Sequence, residues 1–240
     1  MNRFFLLSPL VLQKAIWHAT RAALRFFCRF KVCGYDNLSD SINIRSYLNA
    51  KAGRGVIFAA NHSSEWDPIL VPAALPFFSR LLPVFYVSRS RDFYKTSGWR
   101  QVLYGGFLFK LWGAHAGVSG VRDYAQSLAP HLALLARGGS VLIFPEGRKT
   151  RDGNIQNEAH GGVAYLARAT GAPVVPVRIF GDFNMSLADF LLRRRRIEVV
   201  FGTPISLAEN TLADYKQDAQ AILAEIAAIH REVDSKSVWV

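Results

Sequence analysis

Cysteine is nearly absent: the 240 residues contain two, Cys28 and Cys33. Two thiols do not staple a small secreted domain. With no cluster of His or Cys beside them, they do not make a four-ligand metal site either, so they read as reduced thiols on an apolar surface. Long apolar runs are also missing. Nowhere do about 18 uncharged apolar residues follow one another, so no segment is long enough to cross a bilayer as a helix. The opening FFLLSPLVL has the length of a signal-peptide core, but no small-x-small cleavage pattern follows it. Three catalytic or nucleotide-binding signatures are absent as well. Gly117-Val-Ser119-Gly120 lacks the second spacer of a nucleophile elbow. Gly147 is followed by Arg148 and preceded at the P-loop distance by Leu142. No Gly-x-Gly-x-x-Gly follows a strand candidate. Serine hydrolases, P-loop NTPases and dinucleotide enzymes are thereby set aside.

Acidic residues are scarce at one end. No Asp or Glu occurs in the first 35 residues, and the whole chain carries 29 Lys and Arg against 18 Asp and Glu, a net charge of +11. Such an excess implies an anionic partner: nucleic acid, a membrane surface or an acidic substrate. The basic residues are interleaved with aliphatic and aromatic runs and form no nucleic-acid module, so nucleic acid is not expected. Residues 10–31 read as an amphipathic helix. Lys14, His18, Arg21, Arg25 and Arg29 make one basic stripe, and Leu12, Ile16, Ala19, Ala23, Phe26, Phe27 and Phe30 fall opposite. A basic face against an apolar one suits a helix lying on anionic lipid. The expectation is a membrane-associating segment over 1–35 and one domain over 36–240. The whole would be peripheral or monotopic on the cytoplasmic face of the cell membrane.

Half the residues are hydrophobic and a fifth are charged, enough for a proper core. Short runs without polar alternation, at Val56–Ala60, Pro83–Ser88, Ser140–Phe144, Val174–Phe180 and Ile197–Phe201, predict strands buried on both faces. Helical patterns over 68–79, 122–137 and 157–170 alternate with them. This order predicts an α/β fold, a largely parallel sheet flanked by helices. The aromatic stretch 93–116 reads equally as a membrane-dipping element or a buried helix. Leu212, Tyr215, Ala219, Ile222, Ile226, Ile229 and Val233 predict a covering helix near the C-terminus. Arg193–Arg196 is a solvated charge run or a contact for lipid head groups or an acidic carrier.

In parallel sheets ligands bind beyond the carboxyl ends of the strands. Two predicted strand ends break into polar residues there: GVIFAANHSSEWDP (55–68) and GSVLIFPEGRKTRDG (139–153). In the first, His62 and Asp67 are five positions apart, which is about 140° around a straight helix, so they meet only across a turn. Ser63, Ser64 and Pro68 favour that turn. Asp67 would then orient the ring of His62, which would take a proton from a substrate hydroxyl. The same residues, Ser64 to Asp67, also fit a simple capping box. In the second segment, Arg148, Lys149 and Arg151 form a cradle for a phosphate, or merely a charged turn closed by Asp152-Gly153.

Asn61-His62-Ser63-Ser64-Glu65-Trp66-Asp67-Pro68, Phe144-Pro145-Glu146-Gly147 and Val174-Val175-Pro176-Val177 resemble, in order and separation, the first, third and fourth motifs of the glycerolipid acyltransferase family. Arg122 stands where the second motif places an arginine, without that motif's usual spacing. The resemblance covers roughly residues 55–205 and makes 36–240 an acyltransferase domain. It implies His62 as general base and Asp67 as its orienting partner. It implies Glu146 and Gly147 shaping the acceptor site, with Arg122, Arg148, Lys149 and Arg151 on the acceptor phosphate and Pro176 in a wall of the site. The donor would be acyl-CoA or acyl carrier protein and the acceptor a lysophospholipid, with no metal, no cofactor and no acyl-enzyme. Many lysophosphatidic acid users read Glu-Gly-Thr-Arg at the third motif. Glu146-Gly147-Arg148-Lys149 is instead similar to the form found in 2-acylglycerophosphoethanolamine acyltransferases. The alternatives are a non-catalytic lipid-binding scaffold and acylation of a lyso-aminolipid that lacks phosphate.

Overall fold

Each of the five apolar runs forms a strand, because continuous Val, Ile and Phe can be buried on both sides of a sheet but not along one stripe of a helix. The computed structural model describes residues 4–39, 55–88, 107–117, 123–207 and 214–231. Its elements are α1 (Phe4–Cys28), β1 (Lys31–Cys33), α2 (Tyr35–Ser39), β2 (Val56–Ala60), α3 (Asp67–Ala74), β3 (Val84–Ser88), α4 (Phe107–Trp112) and β4 (Ala114–Ala116). Then follow α5 (Tyr124–Ser127), α6 (Ala129–Leu135), β5 (Ser140–Ile143), α7 (Gly162–Thr170), β6 (Val174–Phe180), α8 (Leu187–Leu191), β7 (Glu198–Phe201) and α9 (Tyr215–Ala228). The seven strands lie in the order β1-β7-β6-β2-β5-β3-β4. All neighbours are parallel except β6 and β7.

The pleat divides the core. Val56, Phe58, Ala60, Val175, Val177 and Ile179 face a layer containing α1 and α3. Ile57, Ala59, Val141, Ile143 and Val174 face α6, α7 and α9. The helix predicted over 122–137 is two pieces within the described residues, since Pro130 sits in the first turn of α6, where its missing N–H costs nothing. Within 93–116, residues 107–112 form α4 and 114–116 form β4; residues 93–106 lie outside the described residues. Leu212 and Val233 also lie outside them. The strands β1 and β4 have only three residues each and leave too short a periodic signal to be read in advance.

The first helix departs from the expected pattern. It begins earlier, and its inward line is Pro9, Gln13, Arg21, Leu24 and Cys28, not the aromatic stripe. Gln13 anchors it: its amide donates to the carbonyls of Val84 at 2.8 Å and Trp112 at 3.0 Å and accepts the Val84 N–H at 2.9 Å. Trp17 donates its indole N–H to the Leu75 carbonyl at 3.0 Å. Arg21 is therefore not on an exposed basic stripe. It is buried, its guanidinium 4.6 Å from the Trp17 ring centre. The boundary at residue 35 does not separate two bodies either. β1 precedes it and pairs with β7, carrying the buried ion pair of Lys31 with Glu198 at 3.7 Å. Among the described residues no helix is long and apolar enough to cross a membrane.

His131 on α6 has no exposed surface. Burial, reinforced by neighbouring His115, lowers its pKa from 6.5 to about 4. Below pH 6.5 the unfolded chain takes up a proton that the folded chain refuses until about pH 4, so this residue's support is complete above 6.5 and is lost as pH falls towards 4. The loss reaches about 3 kcal/mol at the lower limit. Urea unfolding at pH 7 and pH 4.5 is expected to show a smaller difference for His131→Leu than for wild type.

Candidate active site

The sheet order puts β6, β2 and β5 side by side, so the three segments that leave their carboxyl ends meet over the centre of the sheet. This is where an open α/β sheet holds its ligand. Five buried polar residues gather there: Asn61, Ser63, Asp67, Glu146 and Asp182. Asn61 continues the pairing of β2 with β6 by its side chain. Its amide N donates to the Ile179 carbonyl at 3.0 Å and its carbonyl accepts the Ile179 N–H at 2.7 Å. The chain then turns away from the sheet at His62.

His62 lies in the turn after β2, and Asp67 is the first residue of α3. Across that turn His62 Nδ1 is 2.7 Å from Asp67 Oδ2. No capping box forms, for the N-cap position is Trp66 and has no side-chain cap. The carboxylate of Asp67 points back instead and accepts the backbone N–H groups of Ser63 at 2.9 Å and Ser64 at 3.1 Å. The opposite face of the imidazole stacks on Phe144, with centroids 4.1 Å apart and planes 13° from parallel. Burial, with Lys149 nearby, lowers the His62 pKa to about 4, against an opposing pull from the carboxylates of Glu146 and Glu65. Burial raises Asp67 to about 6, while its hydrogen bonds hold it down. At neutral pH the pair is thus a neutral imidazole against a carboxylate. Nδ1 carries the ring proton, because Asp67 can only accept, and Nε2 keeps a lone pair. Such a nitrogen has the lone pair that general-base chemistry requires.

Glu146 supports the base from the neighbouring strand end. Its Oε1 accepts the His62 backbone N–H at 2.7 Å and its Oε2 accepts the Gln156 N–H at 2.9 Å. Gly147 follows with φ of +66°, and a Cβ there would stand 2.5 Å from the His160 ring, so only glycine fits. Thr150 donates its N–H to the His62 carbonyl at 2.8 Å, which keeps the cationic loop beside the base. Within the loop Arg148 donates to the side chain of Gln156 at 2.6 Å, Lys149 pairs with Glu65, and Arg151 is exposed. Arg122 lies outside the described residues. Pro176 is not beside His62. It pairs with Ala59 in mid-strand and lines a cleft of about 290 Å³ with Asn37, Gly202 and Ile229.

Asp182 was not among the residues singled out from the sequence. It follows β6 through Gly181, whose φ of +89° and approach to the Arg196 carbonyl exclude a side chain. Ser63 donates its hydroxyl to Asp182 Oδ1 at 2.7 Å. Ser64 Oγ is 2.6 Å from Asp182 Oδ2 and 3.2 Å from Asp67 Oδ1. A carboxylate-bearing turn straight after a strand, as in Glu146-Gly147, is the signal that could have pointed to Gly181-Asp182.

Glu146→Gln is expected to destabilise the fold by about 1–3 kcal/mol, since an amide NH₂ would face a buried N–H that now has an acceptor. It should lower turnover as well, because one of those N–H groups belongs to His62. Denaturant midpoints read the first effect and steady-state rates the second.

Comparison with known proteins bears on this geometry. The sequence model of the Acyltransferase family matches residues 31–180. A probable 1-acyl-sn-glycerol-3-phosphate acyltransferase of Mycoplasma pneumoniae is 22% identical over 191 residues, which is 75% of this chain and 67% of that protein. A 1-acyl-sn-glycerol-3-phosphate acyltransferase of Chlamydomonas reinhardtii is 27% identical over 71% of this chain, which spans about half (48%) of the algal protein. The crystal structure of the 1-acyl-sn-glycerophosphate acyltransferase PlsC from Thermotoga maritima superposes with a TM-score of 0.57 at 17% identity, over 90% of this chain and 76% of that one. With the first and third family motifs standing at the carboxyl ends of β2 and β5 and the fourth running along β6, the chain belongs to the glycerolipid acyltransferase family.

Proposed function

We propose that the protein transfers a fatty acyl group from acyl-CoA or acyl carrier protein to a hydroxyl of a lysophospholipid, at an anionic membrane surface. The observation that carries this reading is the 2.7 Å contact between His62 Nδ1 and Asp67, which leaves Nε2 as a base with an oriented ring. His62 Nε2 takes the proton of the acceptor hydroxyl as its oxygen attacks the thioester carbonyl. The new C–O bond forms, the C–S bond breaks, and the imidazolium returns its proton to the departing thiolate. Asp67 balances the imidazolium charge between these steps. No side-chain nucleophile is required, and the donor is consumed as a substrate, so the cycle needs no resident metal or cofactor. Both cysteines are buried, and burial raises the Cys28 thiol to about 11, which suits neither to attack a thioester.

The loop cations support a phosphate on the acceptor. Arg148, Lys149 and Arg151 are held to the base by the Thr150–His62 bond, and Arg122 completes the set by resemblance. A lyso-aminolipid without phosphate would leave turnover indifferent to Arg148→Glu, whereas a lysophospholipid acceptor makes its KM rise.

The outward side of α1 supports the membrane location. Leu7, Val11 and Phe26 are each about two-thirds exposed, at 60%, 65% and 61%. On the adjoining α8 and just after it, Leu187, Leu191 and Leu192 are exposed. A groove of about 580 Å³ between them is lined by Phe26, Phe27, Arg25 and Arg193. Apolar side chains rimmed by arginines fit a bilayer interface with anionic head groups.

Two measurements test the reading. Membranes carrying His62→Ala, supplied with labelled acyl donor and a panel of lysophospholipids, should form the diacyl product roughly 10²–10⁴ times more slowly than wild type. Undiminished product would point to another base, and no product even with wild type would leave a scaffold. Joint replacement of Arg193 and Arg194 by alanine should weaken binding to phosphatidylserine-containing vesicles by about 30-fold, each basic side chain at such a surface contributing about 1 kcal/mol. Binding to neutral vesicles should change little.

A further inference from the structure

The serines of the His62 turn touch two buried carboxyl groups at once, and the count of available protons constrains both. Ser64 Oγ has one hydrogen and two lone pairs. One lone pair accepts the Trp66 N–H at 3.0 Å. Asp67 Oδ1 at 3.2 Å and Asp182 Oδ2 at 2.6 Å then compete for the single hydrogen. Were both carboxyls ionised, one of them would face the serine lone pair at contact distance, with neither carboxyl exposed to solvent. Asp67 and Asp182 are 0% and 1% exposed. A proton on one carboxyl closes the network, since that group donates to Ser64 and Ser64 donates to the other.

The geometry also decides which carboxyl is neutral. Asp67 accepts three N–H donors on Oδ2 alone: the His62 ring, Ser63 and Ser64. Three such donors favour an anion. Asp182 is met by the two serine hydroxyls and by the Asp67 carboxyl itself, groups that serve a neutral acid equally well. We propose that Asp182 is a positioning residue for acyl transfer, a neutral carboxyl that donates through Ser64 to Asp67 and so keeps the negative charge on the group that faces His62. The hydrogen-bond chain runs from Asp182 Oδ2 to Ser64 Oγ, to Asp67, to His62 Nδ1. Nothing titrates during the cycle except the Nε2 of His62. Were the shared proton on Asp67, the imidazolium formed in the transfer step would face a neutral acid and lose its counter-charge.

The electrostatic surroundings agree. Burial, then Asp67 as hydrogen-bond partner and as charge, raises the Asp182 pKa to about 8, above that of Asp67 at about 6. The other charges near the pair are balanced where they stand. Glu65 is paired with Lys149. Glu146 binds two backbone N–H groups and acts on Arg178.

The assignment rests on His62 as the base, so the test uses His62→Ala beside Asp182→Ala, Asp182→Asn and Ser64→Ala in the full-length chain on membranes. Asp182→Ala is expected to lower kcat by about 10- to 100-fold, the equivalent of one hydrogen bond to a charged group, with both KM values within about threefold of wild type. Ser64→Ala, which cuts the same chain, should match it, and the double variant should be no worse than either single one. Asn at 182 keeps one donor and one acceptor and should restore most of the turnover that Ala removes. Because a neutral Asp182 places no charge near His62, Asp182→Asn should leave the acid limb of the pH–rate profile where wild type has it. Removal of an anion would lower the His62 pKa and displace that limb to lower pH.

Wild-type kcat in Asp182→Ala, a defect confined to KM, an Asn variant as poor as Ala, or a displaced limb would each overturn the assignment. Should Asp182→Ala not fold, Asp182→Asn and Ser64→Ala decide the matter. Loss of turnover in His62→Ala with none in the Asp182 variants refutes the role of Asp182 alone, whereas undiminished turnover in His62→Ala removes the base itself and the assignment with it.

Discussion

A carboxylate buried without surface exposure organises the site. Taking an isolated carboxylate out of water costs several kcal/mol, so Asp67 is tolerable only where donors replace its hydration. The turn of residues 62–66 supplies them: two backbone N–H groups and the His62 ring N–H. The dependence is mutual. The turn bends sharply because Asp67 gathers its N–H groups, and Asp67 remains ionised because the turn delivers them. The orientation of His62, the free lone pair on Nε2 and the start of α3 all follow from this one arrangement.

Around that centre the sheet provides rigidity. β2 is flanked by β5 on one side and β6 on the other, so whatever leaves its carboxyl end is braced from two directions. Glu146 reaches from the β5 end to the His62 backbone, Asn61 locks the β2 end to β6, and Asp182 reaches from the β6 end to the two serines. The stack on Phe144 fixes the remaining freedom of the ring. A general base must be held within a fraction of an ångström to be effective, and residues on three adjoining strand ends can do that where a single loop could not.

The first helix illustrates how one amphipathic pattern can meet two demands. Its inward line is not mainly apolar but includes Gln13 and Arg21, each engaged with specific partners. Because polar residues serve the docking, apolar ones are left on the outer side, next to the exposed leucines of α8. The ring contact of Phe27 with Phe190, and the stack of Phe190 on Trp66, continue from this surface to the His62 turn. The exposed apolar surface and the His62 turn are therefore joined by one strip of aromatic side chains.

Periodicity in the chain is sufficient for the five long strands, the covering helices and the α/β class, since burial on both faces leaves an unmistakable apolar run. The motifs likewise pointed to His62, Asp67 and Glu146, which the fold brings together, because a polar break after an apolar strand is a local feature. Which face of α1 is buried was not legible, for the decision lies with partners far away in sequence: Val84, Trp112 and Leu75. The short β1 and β4 escaped for want of length. Asp182 escaped because its local signal, a carboxylate in the turn after a strand, says nothing of the distant groups it meets. It stands 119 residues from Ser63, in no motif, and becomes part of the site only when β6 pairs with β2. Local sequence names the groups that carry chemistry, whereas the pairing of distant strands settles which groups share a proton, since that depends on distances the chain acquires only on folding.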